Sequence, residues 1–178
     1  MILADAAILK EIESGNIKIE PFKRGNLGSN SYDVCISKNL AVYEEVELDA
    51  KVHNKVRHFE IPDEGFVMQP GELYLGSTEE YTETHKHLPI LDGKSSVGRL
   101  GIDIHATAGI GDIGFCGFWT LELSVIKPVR VYAGMPIGQI IYHAAEGEVL
   151  NPYNKKCDAK YSQQEHKPVE SMMWKNEF

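Results

Sequence analysis

Phe118-Trp119-Thr120-Leu121-Glu122-Leu123-Ser124-Val125 is the stretch that decides the fold class. Side chains of a strand alternate between two faces. Trp119, Leu121, Leu123 and Val125 therefore point one way, and Phe118, Thr120, Glu122 and Ser124 the other. The apolar set marks a sheet face turned toward a core. The opposite face has two open readings. It is either a solvated outer surface or a polar pocket holding a carboxylate suited to general acid–base chemistry. Periodicity does not separate them.

Short segments of similar character recur on both sides, separated by turn residues. Upstream candidates are Ile17-Glu20, Ser31-Ile36, Leu40-Val46, His58-Ile61, Phe66-Met68, Glu72-Ser77 and Asp103-Thr107. Val129-Tyr132 and Gln139-His143 follow. Strands at this spacing with Gly, Pro and Asn turns predict an all-β barrel or sandwich. One helix is expected near the start, with Asp5 as N-cap, Ile8, Leu9 and Ile12 at helical spacing, and Gly15-Asn16 as the stop. Gly93-Ile102 reads as a short helix between strands, with Ser95 or Ser96 near its N-terminus. No repeat, low-complexity tract or Pro/Ser linker interrupts residues 1–178, so one domain is expected.

The formal net charge of -8 argues against a general nucleic-acid surface, which needs a basic stripe. A small anionic ligand stays compatible if local cations or a metal offset the background. No apolar run is long enough to span a bilayer. Residues 1–16 lack a basic start followed by a long apolar block, so they do not read as a signal peptide. Cys35, Cys116 and Cys157 are odd in number and widely spaced, without C-x-x-C. This disfavours a disulfide framework and a zinc site, and points to a reducing cytoplasm.

Three further stretches carry chemistry. His105-Ala106-Thr107-Ala108-Gly109-Ile110-Gly111-Asp112-Ile113-Gly114-Phe115-Cys116-Gly117 is glycine-rich, which permits tight turns and close approach of backbone to a ligand. Asp112 within it reads either as a turn-capping residue or as a carboxylate for a sugar hydroxyl or a water. Gly93-Lys94-Ser95-Ser96-Val97-Gly98-Arg99-Leu100-Gly101 gathers hydroxyls, cations and glycines. That suits phosphate, although the P-loop order is absent. The polar segment 151–178 reads either as a loose terminus or as a lid ordering over a bound anion.

Taken in order, GKSSVGRLGI, HATAGIGDIGFCG, LELS, PIGQI and PYN…DAKYSQQ resemble the dCTP deaminase family, including its bifunctional deaminase/dUTPase members. The similarity runs over essentially the whole chain, from Met1-Ile2-Leu3 through Ser31-Tyr32-Asp33-Val34 to Gln164. The resemblance implies a dUTPase-like β-barrel with one or two short helices, assembled as a homotrimer with active sites between subunits. It implies hydrolysis of dCTP to dUTP and ammonia, supplying dUTP or dUMP for thymidylate synthesis, with dUTP and dTTP as further ligands. Glu122 matches the catalytic glutamate, and Ser95 the serine beside it. Lys94, Ser95, Ser96 and Arg99 match the triphosphate-binding stretch. Thr107 and Ala108 match the base pocket, Asp112 the residue beneath the deoxyribose, and Gln139 the base and sugar contacts. Tyr153, Lys160 and Gln164 match the closing tail.

Mg2+ accompanies the triphosphate in this reading, and no zinc is expected at the base. Zinc deaminases carry an H-x-E…P-C-x-x-C pattern that is absent here. Water activation then falls to Glu122, a role that a pKa raised toward neutrality by burial would suit. The hydroxyls of Thr120 and Ser124 are further candidate partners for it. Lys94 stands where many monofunctional members have Arg, and it lacks the guanidinium fork. Gly109-Ile110 replaces their His-Arg pair. Bifunctional members tend to have Gly plus an aromatic there, and the aromatic is missing in this chain. Gly111 also precedes Asp112 where Ile is usual. Together these features lean toward the dUMP-forming type. Two alternatives compete: a pure dUTPase using Asp112, which leaves Glu122 without a role, and a nucleotide-binding module without catalysis.

Overall fold

The computed structural model describes residues 1–107, 109–161 and 165–177. Helix α1 (Asp5–Glu13) precedes β1 (Ile17–Glu20), β2 (Tyr32–Tyr43), β3 (Val56–Glu60), β4 (Phe66–Met68) and β5 (Tyr74–Thr84). Then come β6 (His87–Gly93), α2 (Ser95–Gly98), β7 (Ile102–Asp103), β8 (Cys116–Val125), β9 (Val129–Val131) and β10 (Pro136–Ala144). Three 3-10 turns complete the described elements. No helix among the described residues is long and apolar enough to cross a membrane.

Eight strands form one antiparallel, barrel-like sheet in the order β6-β10-β2-β5-β8-β7, with β1 on β5 and β3 on β2. A small β4-β9 ladder lies apart. Strand β5 is the spine. One edge of it follows β8, and the other passes from β2 to β1. The register with β8 shifts between Ser77 and Tyr81. Just inside that irregularity, the fully buried Glu80 carboxylate accepts the Cys35 backbone N–H at 2.8 Å. The β2–β5 ladder ends at Ile36–Thr78 and skips register after it, so the Cys35 N–H meets this carboxylate where a ladder carbonyl of β5 would otherwise stand. Burial pushes the Glu80 carboxyl above its usual range.

The alternation read from the sequence is present in β8. Gly117, Trp119, Leu121, Leu123 and Val125 are buried, and the residues between them are partly open. Leu121 and Leu123 are fully buried with Leu40, Ile36, Ile140 and Tyr142. Leu121→Ala is expected to cost about 2–5 kcal/mol, the transfer and cavity loss for a buried leucine. A lower urea midpoint with an unchanged slope would show it.

Several boundaries differ from expectation. Ser31-Ile36 and Leu40-Val46 merge into the single strand β2, which runs through the polar Ser37-Lys38-Asn39 because Ser37 bonds Ser77 at 2.8 Å across the buried sheet. Strand β6 was not anticipated. It starts with a buried histidine and contains Pro89, a residue that normally demotes a strand, yet it pairs with β10 over seven residues. Asp5 is not the N-cap of α1. That position is Ala4, and Asp5 lies inside the first turn with its carboxylate accepting the Ala6 N–H at 2.8 Å. A carboxylate in the first turn still favours the positive end of the helix dipole.

Candidate active site

Glu122 lies on the open face of β8, and its side chain is 35% exposed. The face is neither bare nor solvated. Residues from the C-terminal segment lie across it. His166 stacks on Phe118 with ring centroids 4.2 Å apart, and the Val169 N–H donates to the Thr120 hydroxyl at 3.2 Å. The Ser171 N–H donates to the Tyr43 hydroxyl at 3.0 Å, and the Met172 N–H to the Tyr161 hydroxyl at 2.9 Å. Beneath this cover is a cavity of about 360 Å³, lined by Glu122, Tyr43, Thr107, Trp119, Tyr161 and Ser171 among others. The face is therefore covered rather than a solvated outer surface, and the cavity on it is of mixed character, with Leu75, Phe118, Trp119 and Val169 beside Glu122, Thr107 and Thr120.

The Glu122 carboxylate is held from the β7–β8 side. Its Oε2 accepts the Ala106 N–H at 3.1 Å and lies 3.6 Å from His105 Nδ1, a close electrostatic contact longer than a hydrogen bond. The His105 imidazole, with help from that N–H, holds the Glu122 carboxyl below its usual range and outweighs partial burial, which acts the other way. The expected rise toward neutrality is thus absent. Burial alone would raise a carboxyl, but here the neighbouring imidazole and one backbone N–H stabilise its charged form.

Thr107 lines the Glu122 cavity. Ser95 does not, because it faces a second depression of about 420 Å³ together with Lys94, Asp92, Asp103, Gln139 and His105. His105 lines this second depression and touches Glu122 of the first. Gln139 is committed to the fold: its carbonyl accepts the Ser31 hydroxyl at 3.0 Å, and its amide donates to the Gly93 carbonyl at 3.2 Å. It thereby fixes the turn that presents Lys94 and Ser95. The Lys94 ammonium pairs with Asp33. Ser96 and Arg99 are exposed, and Arg99 makes no side-chain ion pair among the described residues. Thr120 is engaged by the tail, and Ser124 sits opposite Asp103 in the β7–β8 ladder.

Asp112 lines a third, shallower depression with Tyr153 and Lys156, whose ammonium stands 3.4 Å from its carboxylate. Tyr153 is anchored by its own N–H on the Ile113 carbonyl, and its hydroxyl accepts the Tyr161 N–H at 2.9 Å. Lys160 bonds Asn176 rather than facing any of the three depressions. Ala108 and Gln164 lie outside the described residues. The residues read from the sequence thus surround three separate depressions of one protomer.

A family model described as dCTP deaminase-like matches residues 2–145. The chain belongs to the dCTP deaminase-like family. A dUMP-forming dCTP deaminase of Leptospira biflexa is 53% identical over 89% of this chain and 91% of its own length. One from Clostridium beijerinckii is 46% identical over 99% and 98%. The crystal structure of a 2'-deoxycytidine 5'-triphosphate deaminase from Agrobacterium tumefaciens superposes with a TM-score of 0.64 at 20% identity. It covers 81% of this chain, and this chain spans about half (48%) of that one. That likeness shows the dCTP deaminase-like fold.

The site residue that sequence reading passed over in this dCTP deaminase-like chain is His105. It opens the glycine-rich stretch, yet no local spacing links it to Glu122, seventeen positions on. The β7–β8 ladder, continued by the Glu122 N–H to Ile104 carbonyl bond (3.0 Å), brings them together in the fold. His105→Gln is expected to raise the Glu122 pKa. A base works ionised, so the rate falls as pH drops through its pKa. The acid limb of the kcat/KM profile then moves to higher pH in the variant, and an unmoved limb would show that His105 does not set the charge of Glu122.

Proposed function

We propose that this chain hydrolyses dCTP at C4 of the cytosine, releasing ammonia, and carries the product on to dUMP and pyrophosphate. The observation that supports deamination most directly is the tail-covered cavity with Glu122 on its floor, its carboxyl held below the usual range by His105 and the Ala106 N–H. The carboxylate takes a proton from a water as that water attacks C4. It passes that proton to ring N3, then takes the proton of the new C4 hydroxyl and delivers it to the amine, so that the C4–N bond breaks, ammonia leaves and the C4 carbonyl forms. A cytosine seated against Glu122 strips its remaining water and pushes the carboxyl back up, toward the range a proton shuttle requires. The positions of His105 and the Ala106 N–H fix the carboxylate's orientation before substrate arrives.

The second step is supported by the relatives, which are named as dUMP-forming deaminases. Asp112 is the carboxylate suited to positioning water for phosphoanhydride cleavage. Mg2+ takes hard oxygen ligands and travels with substrate phosphates. The depression holding Lys94 and Ser95 fits it through Asp92 and Asp103, and the ion would supply charge neutralisation on the triphosphate there. Because the three depressions are separate on one protomer, one nucleotide meets all of their residues only if copies of the chain contribute together. This supports the homotrimer. The three free thiols suit a reducing cytoplasm.

Purified protein incubated with Mg2+ and, in separate reactions, dCTP or dUTP, followed by chromatography, tests the reading. Direct appearance of dUMP and pyrophosphate is expected. Accumulation of dUTP would remove the second step, and unchanged dCTP alongside cleaved dUTP would replace deamination with dUTPase activity.

A further inference from the structure

Glu83, His85 and Cys116 stand apart from everything above. They lie where the end of β5 meets the start of β8. Glu83 and Cys116 are directly opposed in the ladder, and His85 follows just past the end of β5. One ligand atom from each lies within 4.8 Å of the other two. Glu83 Oε2 and His85 Nε2 are 2.9 Å apart. We propose that these three side chains form a binding site for a zinc-class divalent transition metal, with carboxylate, imidazole and thiolate as ligands and water in the fourth position.

The donor set selects the metal. Mg2+ and Ca2+ take oxygen ligands, whereas thiolate and imidazole together favour zinc and its neighbours. Three protein ligands plus water is a common open tetrahedral arrangement. A carboxylate and a thiolate together balance a divalent charge. Binding exchanges the Cys116 thiol proton for a metal–sulfur bond and releases that proton to solvent. The charged and titratable neighbours are Lys18, Glu20 and Tyr81. Lys18 Nζ stands 3.7 Å from Glu83 Oε1, the oxygen facing away from His85, and closer, at 3.2 Å, to Glu20. It therefore has a partner to keep when the ion takes Glu83.

The backbone beneath the three is already fixed. The His85 N–H donates to the Asn16 carbonyl at 2.9 Å, the Thr84 N–H to Phe115 at 3.0 Å, and the Gly114 N–H to Thr84 at 2.7 Å. The ligands need only side-chain rotation to close on an ion. Cys116 precedes Glu122 by six residues on β8, about 20 Å along a strand. The ion would therefore take no part in deamination. It would clamp the entry to β8, four residues from Asp112.

Metal-free protein titrated with Co2+ is the test. One equivalent is expected to produce a thiolate-to-cobalt charge-transfer band, which Zn2+ abolishes and Mg2+ leaves alone. Cys116→Ser should lose the band, and His85→Ala should weaken Co2+ binding about tenfold or more. Cys157→Ser, which removes the exposed thiol, should keep it. Zn2+ should raise the Tm of the wild type and not of Cys116→Ser. No band at one equivalent, or a band indifferent to Cys116→Ser, would overturn the site.

Discussion

Glu122→Gln is expected to lower ammonia release from dCTP by about 10²–10⁴-fold, the usual contribution of a positioned acid–base group. The substitution preserves volume, and its amide oxygen can still accept the Ala106 N–H that now reaches Oε2 at 3.1 Å. The apolar face of β8 lies on the other side of the strand, so the core is untouched. What disappears is the capacity to take a proton. Calorimetric binding of dCTP should survive while the coupled ammonia assay goes flat. Deamination at the wild-type rate would show that the water is activated elsewhere.

Gly109→Ala is expected to damage the same chemistry through geometry. A Cβ on Gly109 would come 2.1 Å from the Leu91 carbonyl oxygen, a backbone atom of β6 that cannot swing aside. Gly109 also accepts the Leu91 N–H at 2.7 Å, so the two chains are stitched at that point. Adding a methyl forces them apart, for about 1–3 kcal/mol of overpacking. Ala106 and Thr107 are close in sequence on the same loop, and a shift of about 1 Å at a reacting group can cost about 10²-fold. A small fall in Tm with a large fall in kcat is the expected pair of results. An unchanged kcat would mean that the loop absorbs the methyl without moving Ala106.

The glycines of this stretch show what could and could not be read from the chain. Their density announced a close approach, and one exists, but to the protein's own β6 and to Trp119, whose ring would lie 2.4 Å from a Cβ on Gly111. Composition reports the need for room without naming the neighbour. The alternation of β8 was legible because a two-residue period is local. Strand β6 was not, since its Pro89 and buried His87 are rescued by pairing with β10, more than forty residues away. Glu122 stood out by resemblance and position, yet the direction of its pKa rested on His105, which only the fold brings alongside. The cluster at Glu83, His85 and Cys116 was invisible for the same reason. The partners of its cysteine, Glu83 and His85, lie more than thirty residues before it, at the end of β5 and in the bend after it.

Bonds between the segment across the Glu122 face and the sheet include the Ser171 N–H to the Tyr43 hydroxyl, the Val169 N–H to the Thr120 hydroxyl and the Asn39 amide to the His166 carbonyl, while Tyr153 and Tyr161 accept main-chain N–H groups within the C-terminal segment itself. At a net value of about 1 kcal/mol per bond, three such bonds favour the covered form roughly a hundredfold. A cover of that strength opens without any loss to the sheet below. It works as a timer rather than a seal, and Tyr43→Phe, Thr120→Val and Asn39→Ala would shorten the dwell of a bound nucleotide in steps, one bond at a time.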